Sequence, residues 1–238
     1  LLPVVYFFRK NDSLLHFVKP VFDRRVFLKT CTNGSSELMT NLSMSLVNAL
    51  YNLQLMKIAG ENGVAAYGAV MYVNFIFVAT FLGYAIGCAP VISYHYGAGN
   101  HAELKNLYKK SMSIILVWGV ILFGAAQLLA PVLSKIFVGY NTGLYAMTLH
   151  GFRVYAIAFL IIGINIFGSS FFTALNNGLI SAVISFLRTL MFQVIMVLTL
   201  PLWFGINGIW SAISIAEALT LIMTTTFFVR QKDKYHYL

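Results

Sequence analysis

Charge is what this sequence has least of. Only 10% of its 238 residues are Asp, Glu, Lys or Arg, and only seven are acidic. A soluble domain carries about 25% charged residues. With 59% hydrophobic residues and a mean hydropathy of +0.80, there is too little polar surface to face water all round. Membrane burial is the reading that fits. Cysteine is scarce too. Cys31 and Cys88 lie near predicted cytoplasmic helix ends, without metal-ligand spacing to a histidine, and read as two packed, reduced thiols. Catalytic signatures are absent. There is no HExxH, CxxC, GxSxG or phosphate loop, and Gly97-Ala98-Gly99 lacks the Lys-Ser/Thr that a phosphate loop needs. His16, His95, His101, His150 and His236 are widely spaced, in or next to loops. Neither an enzyme nor an ATPase is read from this chain.

Basic residues outnumber acidic ones, for a net charge of +9. They do not form the basic face of a polar domain, so nucleic acid is not the expected partner. They sit in gaps between apolar runs. Six runs are long enough to span a bilayer as helices, roughly 33–56, 65–92, 111–132, 152–175, 179–200 and 208–229. Gly60 and Gly63, then Gly97, Gly99 and Asn100, then Asn176-Asn177-Gly178, then Pro201, Gly205 and Asn207 mark turns between them. The fold class is therefore an all-α membrane protein with six transmembrane helices.

Residues 9–32 interleave six basic side chains with apolar ones, and read as a basic amphipathic segment at the membrane interface or a solvated linker. Those six, Lys105, Lys109 and Lys110, and Arg230, Lys232 and Lys234 all fall on one side. Lys57, Lys135 and Arg153 fall on the other. The imbalance predicts both ends in the cytoplasm. The apolar start, residues 1–8, meets Arg9-Lys10 with no signal-peptide pattern. It reads as the end of a preceding transmembrane helix, so the chain is expected to be a piece of a longer protein.

Ionisable groups deep in a span are costly and mark function by default. Glu37, Arg188 and Glu217 are the three here. Glu37, Asn41, Ser45, Asn48 and Asn52 recur at spacings of 4, 4, 3 and 4, within a sector of roughly 80° and over about 22 Å of helix. Such a stripe faces either other helices or a water-filled cavity, and cavity lining is the expectation. Asn165, Ser169, Thr173 and Asn176 repeat the theme on the fourth span, as glue between helices or as cavity lining. Ser214, Glu217 and Thr224 share a face of the sixth. Arg188 and Glu217 each lie about nine residues into neighbouring antiparallel spans, near the middle of a ~30 Å core. Their matched depth predicts an intramembrane ion pair. Ala79, Gly83 and Gly87 predict close helix packing. Pro90, with Gly87, is a candidate hinge or a simple helix end.

Gly83-Tyr84-Ala85-Ile86-Gly87-Cys88-Ala89-Pro90-Val91-Ile92-Ser93-Tyr94-His95-Tyr96-Gly97-Ala98-Gly99-Asn100, with Lys105, Lys109 and Lys110 behind it, resembles a signature of the multidrug and toxic compound extrusion (MATE) family. Gly34-Ser35-Ser36-Glu37, the run Ser169 to Asn176, and Arg188 followed by Pro201, Gly205 and Gly208-Ile209-Trp210 add to the likeness. The resemblance implies a twelve-helix protein of two lobes, of which this chain is the C-terminal six-helix lobe (33–238), preceded by the interlobe linker (9–32). It implies a plasma (inner) membrane antiporter that exports cationic or amphipathic drugs in exchange for Na⁺ or H⁺, with no further cofactor. The partners it implies are membrane lipid, the drug and the N-terminal six-helix lobe. Glu37 matches a helix-seven carboxylate that some members use for the cation, so Na⁺ at Glu37 is an expectation. Those members also carry an acid on helix ten, where this chain has only Asn165, Ser169 and Ser170. Two alternatives stay open: a lipid-linked oligosaccharide flippase of the wider superfamily and a non-transporting membrane scaffold. A flippase cavity should be strongly basic, and Arg188 is the one cation read well inside the spans.

Overall fold

Gly60 reverses the chain between the first two predicted spans. In the computed structural model, which describes residues 22–238, helix α1 (Arg24–Gly97) follows helical hydrogen bonding throughout except at Gly60, with φ 63° and ψ −153°. That conformation suits glycine, because a Cβ would be strained there. The Tyr67 hydroxyl donates to Asn48 Oδ1 at 2.9 Å, and the Tyr51 and Tyr67 rings stack with centroids 5.0 Å apart. A straight helix would hold residues 48 and 67 about 28 Å apart. The two limbs of α1 therefore fold back on each other.

The rest is helical as well: α2 (His101–Val138), α3 (Thr142–Tyr155), a 3₁₀ turn (Ala156–Ala158), α4 (Phe159–Ala174), α5 (Gly178–Phe186), a π turn (Leu187–Met191), α6 (Phe192–Phe204) and α7 (Ile206–Tyr235). Five helical stretches among the described residues are long and apolar enough to cross a membrane. The first, Asn41–Gly97, holds 57 residues and contains both limbs of the Gly60 hairpin, so it carries the first two predicted spans. The chain divides into two units, Leu1–Cys31 and Thr32–Leu238. In the first, Asp23 Oδ1 accepts from the Arg25 and Val26 amides, and Phe22 packs on Phe27 at 5.5 Å. That is an N-cap with a hydrophobic staple. Helix α1 thus begins inside the segment read as linker. The helix end assigned to residues 1–8, and positions 9–21, lie outside the described residues.

In the second unit α4 is the central helix. Phe159, Ile162, Phe167, Phe171 and Phe172 are all buried, and apolar residues cover every side of it. A helix apolar all round belongs inside a bundle. Close approach comes from glycines other than those expected. A Cβ on Gly151 would meet the Trp210 ring at 2.6 Å, and one on Gly163 would overlap Phe81. Gly83 and Gly87, read as packing sites, are exposed and have nothing within 4 Å of where a Cβ would sit. Their four-residue spacing identifies a face of α1, and among the described residues no helix covers that face.

One end of the bundle is tied together by short connections. The Asn100 amide reaches the His95 carbonyl at 2.9 Å, Gly99 adopts φ 67°, and the Asn100 side chain caps α2 at the Glu103 amide. This is a glycine-ended helix stop followed at once by an N-cap. Beside it, Ser93 Oγ donates to the Ala174 carbonyl at 2.9 Å, and Asn177 Nδ2 donates to the Tyr235 hydroxyl at 2.9 Å. Asn177 also caps α5 by accepting from the Ile180 amide at 3.3 Å. Asn177→Ala should cost about 1 kcal/mol for the cap. Asn177→Asp, which keeps the capping oxygen and loses the donor to Tyr235, should cost less. Thermal unfolding of the two variants ranks them, and equal losses would show that the cap is not the main term.

Candidate functional site

Glu217 lies in the interior of the second unit, fully buried on α7. Arg188 Nε donates to its Oε1 at 2.8 Å. Asn165, on the central helix and also fully buried, donates from Nδ2 to Glu217 Oε2 at 2.7 Å and to the Glu217 carbonyl at 2.9 Å. Both carboxylate oxygens are therefore occupied. Pairing and hydrogen bonds of this kind offset the cost of burying charged groups in an apolar setting. The Arg188 side chain is 15% exposed, so one edge of the pair reaches the surface of the lobe while the carboxylate does not.

Arg188 stands on the π turn, where the Phe192 amide reaches back to the Leu187 carbonyl. Thr189 supplies a local cause. Its hydroxyl donates to the Ser185 carbonyl at 2.6 Å, competing with the backbone for that acceptor. Single π turns inside α-helices occur mostly at functional sites.

Ser169 has a different setting. Its Oγ lies 2.9 Å from Ser181 Oγ and 2.8 Å from Ser185 Oγ, and Thr173 Oγ1 lies 2.6 Å from Ser181 Oγ. These hydroxyls join α4 to α5, which is the glue alternative for that face. Asn165 and Ser169 are thus separated in role: one holds Glu217 and the other bridges two helices.

The α1 stripe mostly points away from the lobe's own helices. Asn41, Ser45 and Asn52 are exposed, and Asn48 is half-buried and accepts from Tyr67. The side chain of Glu37 lies outside the described residues. Pro90 and Gly87 are exposed on the second limb, and α1 continues seven residues past Pro90 to Gly97. Cys88 is half-buried, but Cys31 is exposed rather than packed. Among the described residues no three His, Cys, Asp or Glu side chains gather as a metal site.

Two partners of the buried pair escaped the sequence reading. Tyr51 of α1 and Tyr155 at the end of α3 are buried within electrostatic reach of Glu217. Tyr51 lies one residue before Asn52 of the polar stripe. A tyrosine inside a polar stripe was the available signal. The Tyr51 hydroxyl and Asn165 Oδ1 are both buried and make no hydrogen bond to the described residues.

The MatE family model matches residues 38–199. No curated protein matches the chain. Solved structures do. A MATE protein crystallised in complex with MaL6 superposes with a TM-score of 0.89 at 20% identity, over 100% of this chain and 54% of that one. An outward-facing multidrug resistance MATE family transporter of the MOP superfamily gives 0.87 at 21% identity, over 100% and 54%. A MOP superfamily transporter from Pyrococcus furiosus, described by its binding pocket of reverse polarity, gives 0.86 at 20%, over 98% and 53%. The chain therefore spans about half the length of the solved structures it matches.

Proposed function

The chain belongs to the MatE family of membrane transporters, and we propose that it forms the C-terminal lobe of a secondary antiporter exporting cationic or amphipathic compounds in exchange for H⁺ or Na⁺. The observation that carries the reading is the α1 stripe. Asn41, Ser45 and Asn52 are exposed on a helix long and apolar enough to span a membrane. Polar groups facing lipid are costly, and cavity lining relieves the cost. A second lobe opposite the stripe would enclose that cavity. The matched structures, about twice the length of this chain, leave room for such a lobe.

A neutral polar wall with Glu37 at its head suits an organic cation. A flippase reading is weaker here, because Arg188 is neutralised by Glu217 and is not available to hold a pyrophosphate. In this reading both ends of the chain lie on the cytoplasmic side of the plasma membrane, where the basic loops belong.

The test is efflux of organic cations by the full-length protein in proteoliposomes, wild type against Glu37→Gln. Glu37→Gln should reduce ion-driven efflux by roughly tenfold or more, on the order of one 1.4 kcal/mol step in the affinity for the organic cation. Unchanged efflux by a well-folded Glu37→Gln protein would remove Glu37 from the mechanism. A wild type that moves no organic cation under either gradient would remove the reading itself.

A further inference from the structure

We propose that Glu217 is the group that takes up the exchanged proton, with Arg188 as the counter-ion that it releases. The inference rests on the antiport reading above and narrows its ion to the proton. Glu217 is fully buried, whereas its guanidinium partner is partly exposed and can withdraw toward the surface of the lobe. The withdrawal has a route in the backbone. The π turn holds one surplus residue against a regular helix, and reabsorbing it turns a side chain by about 100° around the axis. Arg188 lies within that turn.

Arg188 from the π turn and Asn165 from α4 bond Glu217, and Tyr155 at the end of α3 and Tyr51 of α1 lie within electrostatic reach of it. Arg188 is the one cation in this group, and among the described residues no second carboxylate pairs with it. Na⁺ asks for several oxygen ligands, and here the one carboxylate is already shared between a guanidinium and an amide. A proton asks for one oxygen. Two buried polar atoms lack a partner among the described residues: Asn165 Oδ1, on the side chain that bonds Glu217, and the Tyr51 hydroxyl, within electrostatic reach of it. Tyr51 adjoins Asn52, and Tyr67, stacked on Tyr51, bonds Asn48.

The exchange balances as follows. A proton from water forms an O–H bond on the Glu217 carboxylate, and the Arg188 Nε–H···Oε1 hydrogen bond breaks. The guanidinium keeps its proton and its charge. The site changes from net neutral to net +1, so a cationic compound in the adjoining cavity is repelled as the proton binds. When the proton leaves toward the other side, the carboxylate and the ion pair re-form. Competition of this kind is what antiport of a proton against an organic cation requires.

Infrared difference spectra of the full-length protein, titrated from alkaline to acidic pH, test the site directly. Wild type should gain the carbonyl stretch of a protonated carboxyl, and Glu217→Gln should lack that band. Identical bands in both proteins overturn the proposal. Should Glu217→Gln fail to fold, Glu217→Asp decides: a displaced band supports it and an unmoved band overturns it. In proteoliposomes, Glu217→Gln, which fixes the site at net +1, should bind the cation more weakly than wild type and lose pH-driven efflux. A Glu217→Gln protein with wild-type pH response removes Glu217 and leaves the antiport reading standing. A wild type that moves no organic cation removes both.

Discussion

Glu217→Ala alone should destabilise the protein by about 3–5 kcal/mol, the cost of breaking one side of a buried ion pair. The cause is what remains behind. Arg188 would keep its charge with no anion at 2.8 Å, and Asn165 Nδ2 would lose the closer of its two acceptors. The double variant Arg188→Met with Glu217→Leu should recover most of the loss, because two apolar side chains of similar volume leave no orphaned charge. Thermal unfolding of the two singles and the double in one detergent closes the cycle, with a fall in midpoint of roughly 2–4 °C per kcal/mol. A double that loses as much as the singles added together would show that the two charges do not support each other. A large single-variant loss does not conflict with a releasable pair. It measures the penalty of an uncompensated charge, and the net worth of the intact pair can be small. A proton on Glu217 removes the anion without creating a cavity, and Arg188 keeps an edge at the surface of the lobe.

The features legible in the sequence were those set by the membrane itself. A 20-residue apolar requirement and the glycine at position 60 suffice to find two spans and the reversal between them. Depth alone put Arg188 opposite Glu217, since both residues lie about nine positions from opposite ends of neighbouring helices. What depth does not contain is rotation about the helix axis. Asn165 shares a helical face with Ser169 by periodicity, yet a few degrees of rotation and one turn of rise send Asn165 to Glu217 and Ser169 to Ser181 and Ser185. Gly83 and Gly87 were misread for the same reason. Their spacing defines a face, but not which helix meets it. Gly151 and Gly163, isolated in sequence, take the close contacts because Trp210 and Phe81 arrive from distant parts of the chain.

The π turn was hidden for a different reason. A surplus residue in a helix changes neither composition nor mean hydropathy, and the back-bond from Thr189 to Ser185 looks in sequence like any threonine in a span. The polar stripe was half legible. Its members share a face, as the 3.6-residue period requires. Only the structure separates Asn48, bonded to Tyr67, from Ser45 and Asn52 at the surface. Of the two alternatives for the stripe, contact between helices accounts for Asn48, whereas Ser45 and Asn52 stay exposed.

Tyr237→Ala should be nearly as damaging as breaking the ion pair, at up to about 3–5 kcal/mol for an aromatic removed from a packed site. The last described residues read as a basic tail, and nothing in their composition marks one of them as core. Yet His236 turns into the left-handed region at φ 55°, and Tyr237 folds back to complete burial. Its ring lies 4.9 Å from Phe171, 5.1 Å from Tyr108 and 6.3 Å from Phe228, so it packs on α4, α2 and α7 together. Its hydroxyl donates to the Phe228 carbonyl at 2.8 Å. Burial pushes the Tyr237 hydroxyl well above its ordinary pKa, so the neutral, donating form is the one that the folded state holds. The sign follows. A folded pKa above the unfolded value of about 10 leaves this contribution whole below that pH and erodes it as pH climbs further. Tyr237→Phe should keep the ring contacts, lose about 1 kcal/mol for the hydrogen bond and lose this share of the alkaline sensitivity. Unfolding midpoints at neutral and alkaline pH for wild type, Tyr237→Phe and Tyr237→Ala separate the ring from the hydroxyl. A Tyr237→Ala protein that unfolds at the wild-type temperature would show that the three helices hold together without the tail.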